Sequence, residues 1–156
     1  MKDNNQKRVE NIAKAYDSFN AAEQYNRSNP SANMFDKLRD KEFLAVFSNL
    51  DFDWLPSKKP LALDIGCSSG RYTMALGNRN IDAVGIDTAS IPLKYASERV
   101  NAKFLRASAT VLPFKKETFD LVICIELLHH FTDDVLEVVL EEISDVIKPG
   151  GYLSLM

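Results

Sequence analysis

Between Leu61 and Arg71 the chain reads Leu61-Ala62-Leu63-Asp64-Ile65-Gly66-Cys67-Ser68-Ser69-Gly70-Arg71. A short apolar run breaks into small residues and resumes as a helical pattern. That is a strand running through a tight turn into a helix, and it restricts what the rest of the chain can build. The same texture recurs downstream. Ile81-Asp82-Ala83-Val84-Gly85-Ile86 reads as a second strand and Pro92 to Val100 as a helix. Lys103 to Ala107 is a weaker strand and Phe119 to Ile125 a strong one. Thr132 then caps a helix whose first turn holds Asp133 and Asp134, matching the helix dipole. Its expected apolar stripe is Leu136, Val139, Leu140, Ile143 and Ile147, and Lys148 with Pro149-Gly150-Gly151 ends it. Tyr152-Leu153-Ser154-Leu155 begins a fifth strand. Alternating strands and helices imply a parallel sheet with right-handed crossovers, a doubly wound α/β domain.

Residues 1–60 have a different character. Val9, Ile12, Tyr16 and Phe19 recur at helical spacing, and Phe35, Leu38, Val46 and Leu50 mark one face of a second helix. Asn26-Arg27-Ser28-Asn29-Pro30-Ser31 separates the two, and Pro56-Ser57-Lys58-Lys59-Pro60 separates this helical arm from the α/β part at 61–156. At 156 residues and 46% hydrophobic content, one packed domain with such an arm is the natural reading.

Charge and cysteine usage exclude several functions. The net charge is −3. From Glu117 to Ile147 there are nine acidic residues and no Lys or Arg, so no phosphate backbone is expected to bind along that side and no nucleic-acid partner is expected. Cys67 and Cys124 sit singly in apolar stretches, forming neither a disulfide framework nor a metal-ligand set. The polar start Met1-Lys2-Asp3-Asn4-Asn5-Gln6 is no signal peptide, and Leu121 to Leu128 is too short to cross a bilayer. These features point to a soluble, cytoplasmic protein without a membrane span.

In doubly wound sheets, ligands sit outside the carboxyl ends of the strands beside the first one. There Gly66 and Gly70 can take backbone conformations closed to other residues and let a ligand approach closely. A dinucleotide fingerprint would want a small residue where Arg71 stands and glycine where Ser68 stands, so that reading fits poorly. Asp64, at the end of the first strand, is expected to face the ligand crevice, where it would repel a pyrophosphate but suits a ligand with a cationic end. It can at the same time orient the turn by accepting backbone N–H groups. Asp87, followed by Thr88, ends the second strand 21 positions after Gly66, where a carboxylate can accept two ribose hydroxyls. A third element, Arg106-Ala107-Ser108-Ala109-Thr110-Val111-Leu112-Pro113-Phe114, follows the third strand. A fourth runs from Phe119 through Ile125-Glu126-Leu127-Leu128-His129-His130-Phe131.

With these four linked motifs the chain resembles the class I S-adenosylmethionine-dependent methyltransferases, of the small-molecule type related to ubiquinone and menaquinone biosynthesis. The resemblance covers Leu61 to the end; residues 1–60 resemble, less specifically, the helical arm that often covers the cofactor in such enzymes. It implies a Rossmann-like sheet of order 3-2-1-4-5 and S-adenosylmethionine as cofactor. It assigns Asp64, Gly66, Ser68 and Gly70 to the methionine end and sugar, and Asp87, with Thr88 beside it, to the ribose. Ser108 and Ala109 fall at the adenine, and Ile125 and Glu126 near the methionine part. Two positions depart from the family pattern: Ser68 replaces a usual glycine and Ser108 a usual aspartate.

The implied reaction is displacement of a methyl group from a sulfonium by a nucleophile of a small-molecule acceptor. The leaving group is already good, so the protein contributes alignment and exclusion of water, and no catalytic side chain is expected. The His129-His130 pair is read as shaping the turn after the fourth strand, and no metal site is expected. Tyr16 and Tyr25 are candidates for lining the lid. The family fold would continue past Met156, so the chain is expected to be a fragment, truncated at its C-terminus. Acceptor, methylated atom (N, O, S or C) and oligomeric state stay open. The alternatives are a cofactor-binding or interaction domain without turnover and a nicotinamide-dependent oxidoreductase.

Overall fold

In the computed structural model of the chain, β1 (Leu61–Ile65) lies at the middle of a five-stranded sheet, which is why four of its five residues are buried. The structure describes residues 58–156 together with Lys7, Glu10, Asn11, Ala13, Lys14, Asp17 and Leu55. The described arm residues from Lys7 to Asp17 are helical. Val9, Ile12, Tyr16, Phe19, Tyr25, Phe35, Leu38, Val46 and Leu50 lie outside the described residues.

The other strands are β2 (Asp82–Asp87), β3 (Lys103–Arg106), β4 (Phe119–Cys124) and β5 (Ile147–Leu155). All pair in parallel, in the order β3-β2-β1-β4-β5, as the sequence implied. The crossovers carry α1 (Arg71–Gly77), α2 (Ser90–Arg99) and α3 (Asp133–Val146), with a short 3-10 turn at Leu128–His130. β4 is buried along its whole length, because it has a strand on each side and a core on each face. Alternation divides the side chains. Leu63, Ile65, Ile86, Val122 and Cys124 pack with α3 on one face. Ala62, Leu121, Ile123 and Ile125 pack with Leu76 of α1 and with Leu55 on the other.

Two boundaries differ from expectation. The buried stripe of α3 is Val135, Val139, Ile143 and Val146, with Leu140 38% exposed. Apolar residues occupy so much of this helix that periodicity leaves its rotation open, and the β-branched side faces the sheet. The second difference is at Lys148-Pro149-Gly150-Gly151, read as a turn before the last strand. It lies inside β5. Between Phe119↔Ile147 and Leu121↔Tyr152, β4 advances two residues while β5 advances five. The excess is a bulge, with Gly150 at φ 78, the kind of place where a strand tolerates proline. Thr132 does occupy the N-cap position of α3, but its hydroxyl makes no capping bond and has no partner among the described residues.

The bulge places Lys148 beside the buried Asp120. Asp120 Oδ2 accepts both Lys148 Nζ and the N–H of Leu61 at 2.9 Å, tying β1, β4 and β5 together at their starts. β5 forms one edge of the sheet, and Tyr152 and Leu153, on opposite faces, are 43% and 40% exposed. The segment between β3 and β4 is held to α3: the N–H of Leu112 donates to Glu142 Oε2 at 2.6 Å, and Lys116 pairs with Asp145. Part of the acidic α3 surface therefore anchors a loop.

Candidate functional site

The turn after β1 is built by positions that need a left-handed backbone. Gly66 and Gly70 both have φ 76, and Ser68 has φ 47. At Gly70 a Cβ would lie 2.7 Å from the Phe104 ring, so this glycine also lets α1 pack closely on β3. The amides of the turn point inward. Gly66 and Cys67 N–H both donate to Ile86 O at 2.9 Å, and Gly70 N–H donates to Cys67 O at 2.8 Å. Ser68 N–H donates to Asp87 Oδ2 at 2.9 Å.

Ser68 is the strained member, since a left-handed conformation costs an L-residue about 1–2 kcal/mol and glycine almost nothing. Glycine loses part of that advantage to its greater freedom in the unfolded chain. Ser68→Gly is expected to stabilise the fold by about 0.5–1 kcal/mol, read as a higher urea midpoint at unchanged slope.

Asp64 is 1% exposed. Its Oδ2 accepts the Thr73 hydroxyl at 2.6 Å, and the Thr73 backbone N–H also donates to it. It therefore pins β1 to α1 beneath the turn. Burial pushes its carboxyl up to about 7, against the Thr73 hydrogen bonds, with the charge of Asp87 adding to the rise. Asp87 is likewise raised, first by burial, against N–H donors from Ala89, Ser68 and Thr88. Its Oδ1 accepts Ala89 N–H at 2.8 Å. Cys67 and Cys124 are buried free thiols, both pushed up by burial and so unreactive.

Above the strand ends lies a small enclosed cavity of about 40 Å³, lined by Ile65, Gly66, Ile86, Asp87, Thr88, Ala107, Ser108, Ala109, Leu127, His130 and Phe131. It is mostly apolar, and among the described residues Asp87 is its only carboxylate. A wider, open concavity of about 540 Å³ adjoins it and shares Thr88, Ala107 and Ser108. Its other wall carries Glu10, Ala13, Lys14 and Asp17, and Arg106 lies at its rim with Nε donating to Thr88 O at 2.8 Å. The enclosed part alone is too small for a cofactor. The open concavity by itself falls in the usual range of about 300–1,000 Å³.

The structure thus brings Gly66, Asp87, Thr88, Ser108 and Ala109 to one cavity. Asp64, Ser68 and Gly70 do not line it; they build the turn behind it. Ile125 is buried in the core on the opposite face. Glu126 is exposed, at φ 56, with its N–H on Met156 O. The Ser108 hydroxyl is engaged locally, 2.8 Å from Thr110 Oγ1 and accepting Thr110 N–H at 3.2 Å.

Sequence reasoning did not single out Ile65, Ile86, Ala107, Leu127, His130 or Phe131 as lining residues. Leu127 and Phe131 lie in the fourth motif and could have been found by following the chain past Glu126. His130 belongs to the 3-10 turn, stacked on His129 with ring centroids 4.0 Å apart, and lines the cavity as well. Among the described residues no cluster suited to a metal ion occurs, and no helix is long and apolar enough to cross a membrane.

Comparison with known proteins agrees with the fold. A family model described as a methyltransferase domain matches residues 62–151. The chain is 31% identical over 127 residues to the ubiquinone biosynthesis O-methyltransferase of Pseudomonas fluorescens (strain Pf0-1), covering 74% of this chain and 54% of that protein. It is 34% identical over 124 residues to the human mitochondrial arginine-hydroxylase NDUFAF5 (78% and 35% covered). It is 36% identical over 101 residues to a tRNA (carboxymethyluridine(34)-5-O)-methyltransferase of Arabidopsis thaliana (64% and 24% covered). Among solved structures, an S-adenosylmethionine-dependent methyltransferase from Methanosarcina mazei superposes with a TM-score of 0.60 at 26% identity, covering 65% of this chain and 53% of that one. The chain spans about half the length of the ubiquinone-biosynthesis relatives it matches.

Proposed function

Because the chain belongs to the class I S-adenosylmethionine-dependent methyltransferases, the family whose domain matches more than half of it, we propose that its crevice binds S-adenosylmethionine and that the protein methylates a small-molecule acceptor. The observation that carries this reading is the direction of the turn amides. A diphosphate-binding turn presents its N–H groups to the ligand. Here the amides of Gly66, Cys67, Ser68 and Gly70 are all taken up inside the protein. With Asp87 lining it, the crevice suits a ligand that carries positive charge and no phosphate.

The residues present fit that ligand. Asp87 accepts Ser68 N–H on Oδ2 and Ala89 N–H on Oδ1, with Thr88 N–H beside them, and its oxygens keep capacity for further donors, as ribose hydroxyls require. Gly66 leaves the cavity floor without a side chain, where a Cβ would already press on Leu127 at 3.1 Å. Ser108 and Ala109 would flank the base. Asp64, Ser68 and Gly70 act by shaping the turn, and Ile125 and Glu126 by carrying the chain into Leu127. When bound, the sulfonium supplies an activated methyl group and departs as a neutral thioether. The protein's own part is to hold the sugar through Asp87 and to keep water out with Ile65, Ile86, Leu127 and Phe131.

Residues 1–60 form, in this proposal, an arm over the 61–156 domain. The relatives' names range over a quinone-pathway enzyme, a tRNA enzyme and a hydroxylase, so the acceptor class rests on charge. A net charge of −3 and the acidic stretch from Glu117 to Asp145 favour a small molecule over RNA. Two buried free thiols suit a reducing compartment, the cytoplasm.

Calorimetric titration of the chain with S-adenosylmethionine, S-adenosylhomocysteine and NAD⁺ tests the site. Saturable heat with the first two and none with the third is expected. Heat with NAD⁺, or none with either sulfur nucleoside, overturns it. Incubation with methyl-labelled cofactor then tests turnover: label passing to small phenolic acceptors but not to bulk tRNA is expected. Binding without any transfer would instead support a non-catalytic domain.

A further inference from the structure

Helix α2 begins without a cap of its own. Its N-cap residue is Ala89, in an extended conformation (φ −80, ψ 127), and makes no side-chain capping bond. Alanine is among the poorest residues for this position, because its side chain has no oxygen to accept the first orphan N–H groups. The missing acceptor comes from the arm. Asp17 Oδ1 accepts the N–H of Ile91 at 2.9 Å, and the Ser90 hydroxyl donates to the same carboxylate at 3.2 and 3.3 Å. A negative group there also meets the positive end of the helix dipole.

This contact sits at the candidate crevice. Residues 87 to 91 are gripped from two sides: Asp87 holds Ala89 N–H, and Asp17 holds Ser90 and Ile91. Thr88 between them lines both the enclosed cavity and the open concavity. Asp17 also lies on the same helical segment as Glu10, Ala13 and Lys14, which supply the outer wall of that concavity. Ala13 is buried, so the segment is packed down.

We propose that Asp17 is a latch: by capping α2 from outside the sheet it fixes the arm as the outer wall of the nucleoside crevice, and the residence time of the cofactor depends on it. Asp17 is a positioning residue. It acts through the arm and α2, and the proposal rests on the cofactor reading given above.

The test separates a latch from an ordinary helix cap. Asp17→Ala removes both, whereas adding Ala89→Ser to that variant restores a local cap to α2 and leaves the arm unlatched. Hydrogen exchange at the Glu10, Ala13 and Lys14 amides is followed without cofactor, and release of S-adenosylmethionine by stopped flow. Asp17→Ala is expected to speed both about tenfold, the scale of losing one charge-assisted cap. Asp17→Asn, which keeps one acceptor oxygen, is expected to give a smaller effect. The double variant is expected to recover melting temperature but neither arm exchange nor release. Recovery of release in the double variant, or unchanged arm exchange in Asp17→Ala, overturns the latch. If the unsubstituted chain binds no S-adenosylmethionine, dependence of residence on the latch falls with the cofactor reading; faster arm exchange in Asp17→Ala would still support the arm contact.

Discussion

Asp87→Asn is expected to weaken S-adenosylmethionine binding by about a hundredfold, the largest loss from any single atom exchange in the crevice. Hydrogen bonds to a charged acceptor contribute about 1.5–3 kcal/mol each, so two ribose hydroxyls together are worth at least about 3 kcal/mol. That corresponds to about two decades in the dissociation constant. The amide offers one carbonyl and one NH₂ group, but several donors face the position: the N–H groups of Ser68, Ala89 and Thr88 and, in this proposal, the sugar hydroxyls. At least one contact must become donor against donor. The stability change should be modest by comparison, because removing a buried charge offsets one lost backbone contact. Calorimetry with a thermal-melt control separates the two effects. A loss below threefold would remove Asp87 from the sugar.

The second large effect is on stability and depends on pH. The Asp64 carboxyl is raised from 3.8 to about 7, chiefly by burial. A raised carboxyl binds its proton more tightly in the folded than in the unfolded state. Its contribution to stability is therefore complete below about pH 4 and disappears as pH climbs through 7. Integrated over that interval the loss is on the order of 4 kcal/mol. Asp64→Asn has nearly the same shape and no charge to bury, and its carbonyl can still accept a Thr73 donor. The variant should therefore match the unsubstituted chain near pH 4 and exceed it by an amount that grows steadily up to pH 8. Urea titrations at pH 4.5, 6 and 7.5 measure the difference directly, and terms common to both proteins cancel. A difference independent of pH would mean that Asp64 ionises as freely in the fold as in the open chain.

Much of this architecture was legible because it follows from periodicity. The run Leu61 to Ile65 and the strand Phe119 to Cys124 are apolar at nearly every position, which suits only strands buried on both faces. The order of the remaining strands comes from the family resemblance, and the structure has that order. Asp64 shows where the reading stopped. A strand-end acid was expected to face the crevice, yet alternation puts it on the face of Ala62, toward α1, where Thr73 meets it. The register of side chains was in the sequence, but the height of α1 above the sheet was not. Similarly, Pro149 and the two glycines after it are turn residues by composition. Only the backbone pairing of Ile147 with Phe119 shows that the strand has already begun. The lining role of His130 depends on how the 3-10 turn folds back over the strand ends, a tertiary outcome that local pattern does not encode.

Lys148 has a consequence at the far margin of the sheet. It is the only charged residue in β5, and its ammonium is drawn inward to neutralise Asp120. A lysine on an outer strand commonly deters stray strands from zipping on. Here the deterrent has been turned to internal use, and among the described residues no strand pairs with the outer ladder of β5, beside which Tyr152, Leu153 and Leu155 lie part-exposed. An outer strand of this kind, on the opposite side of the sheet from β3, is a place where another extended polypeptide can pair.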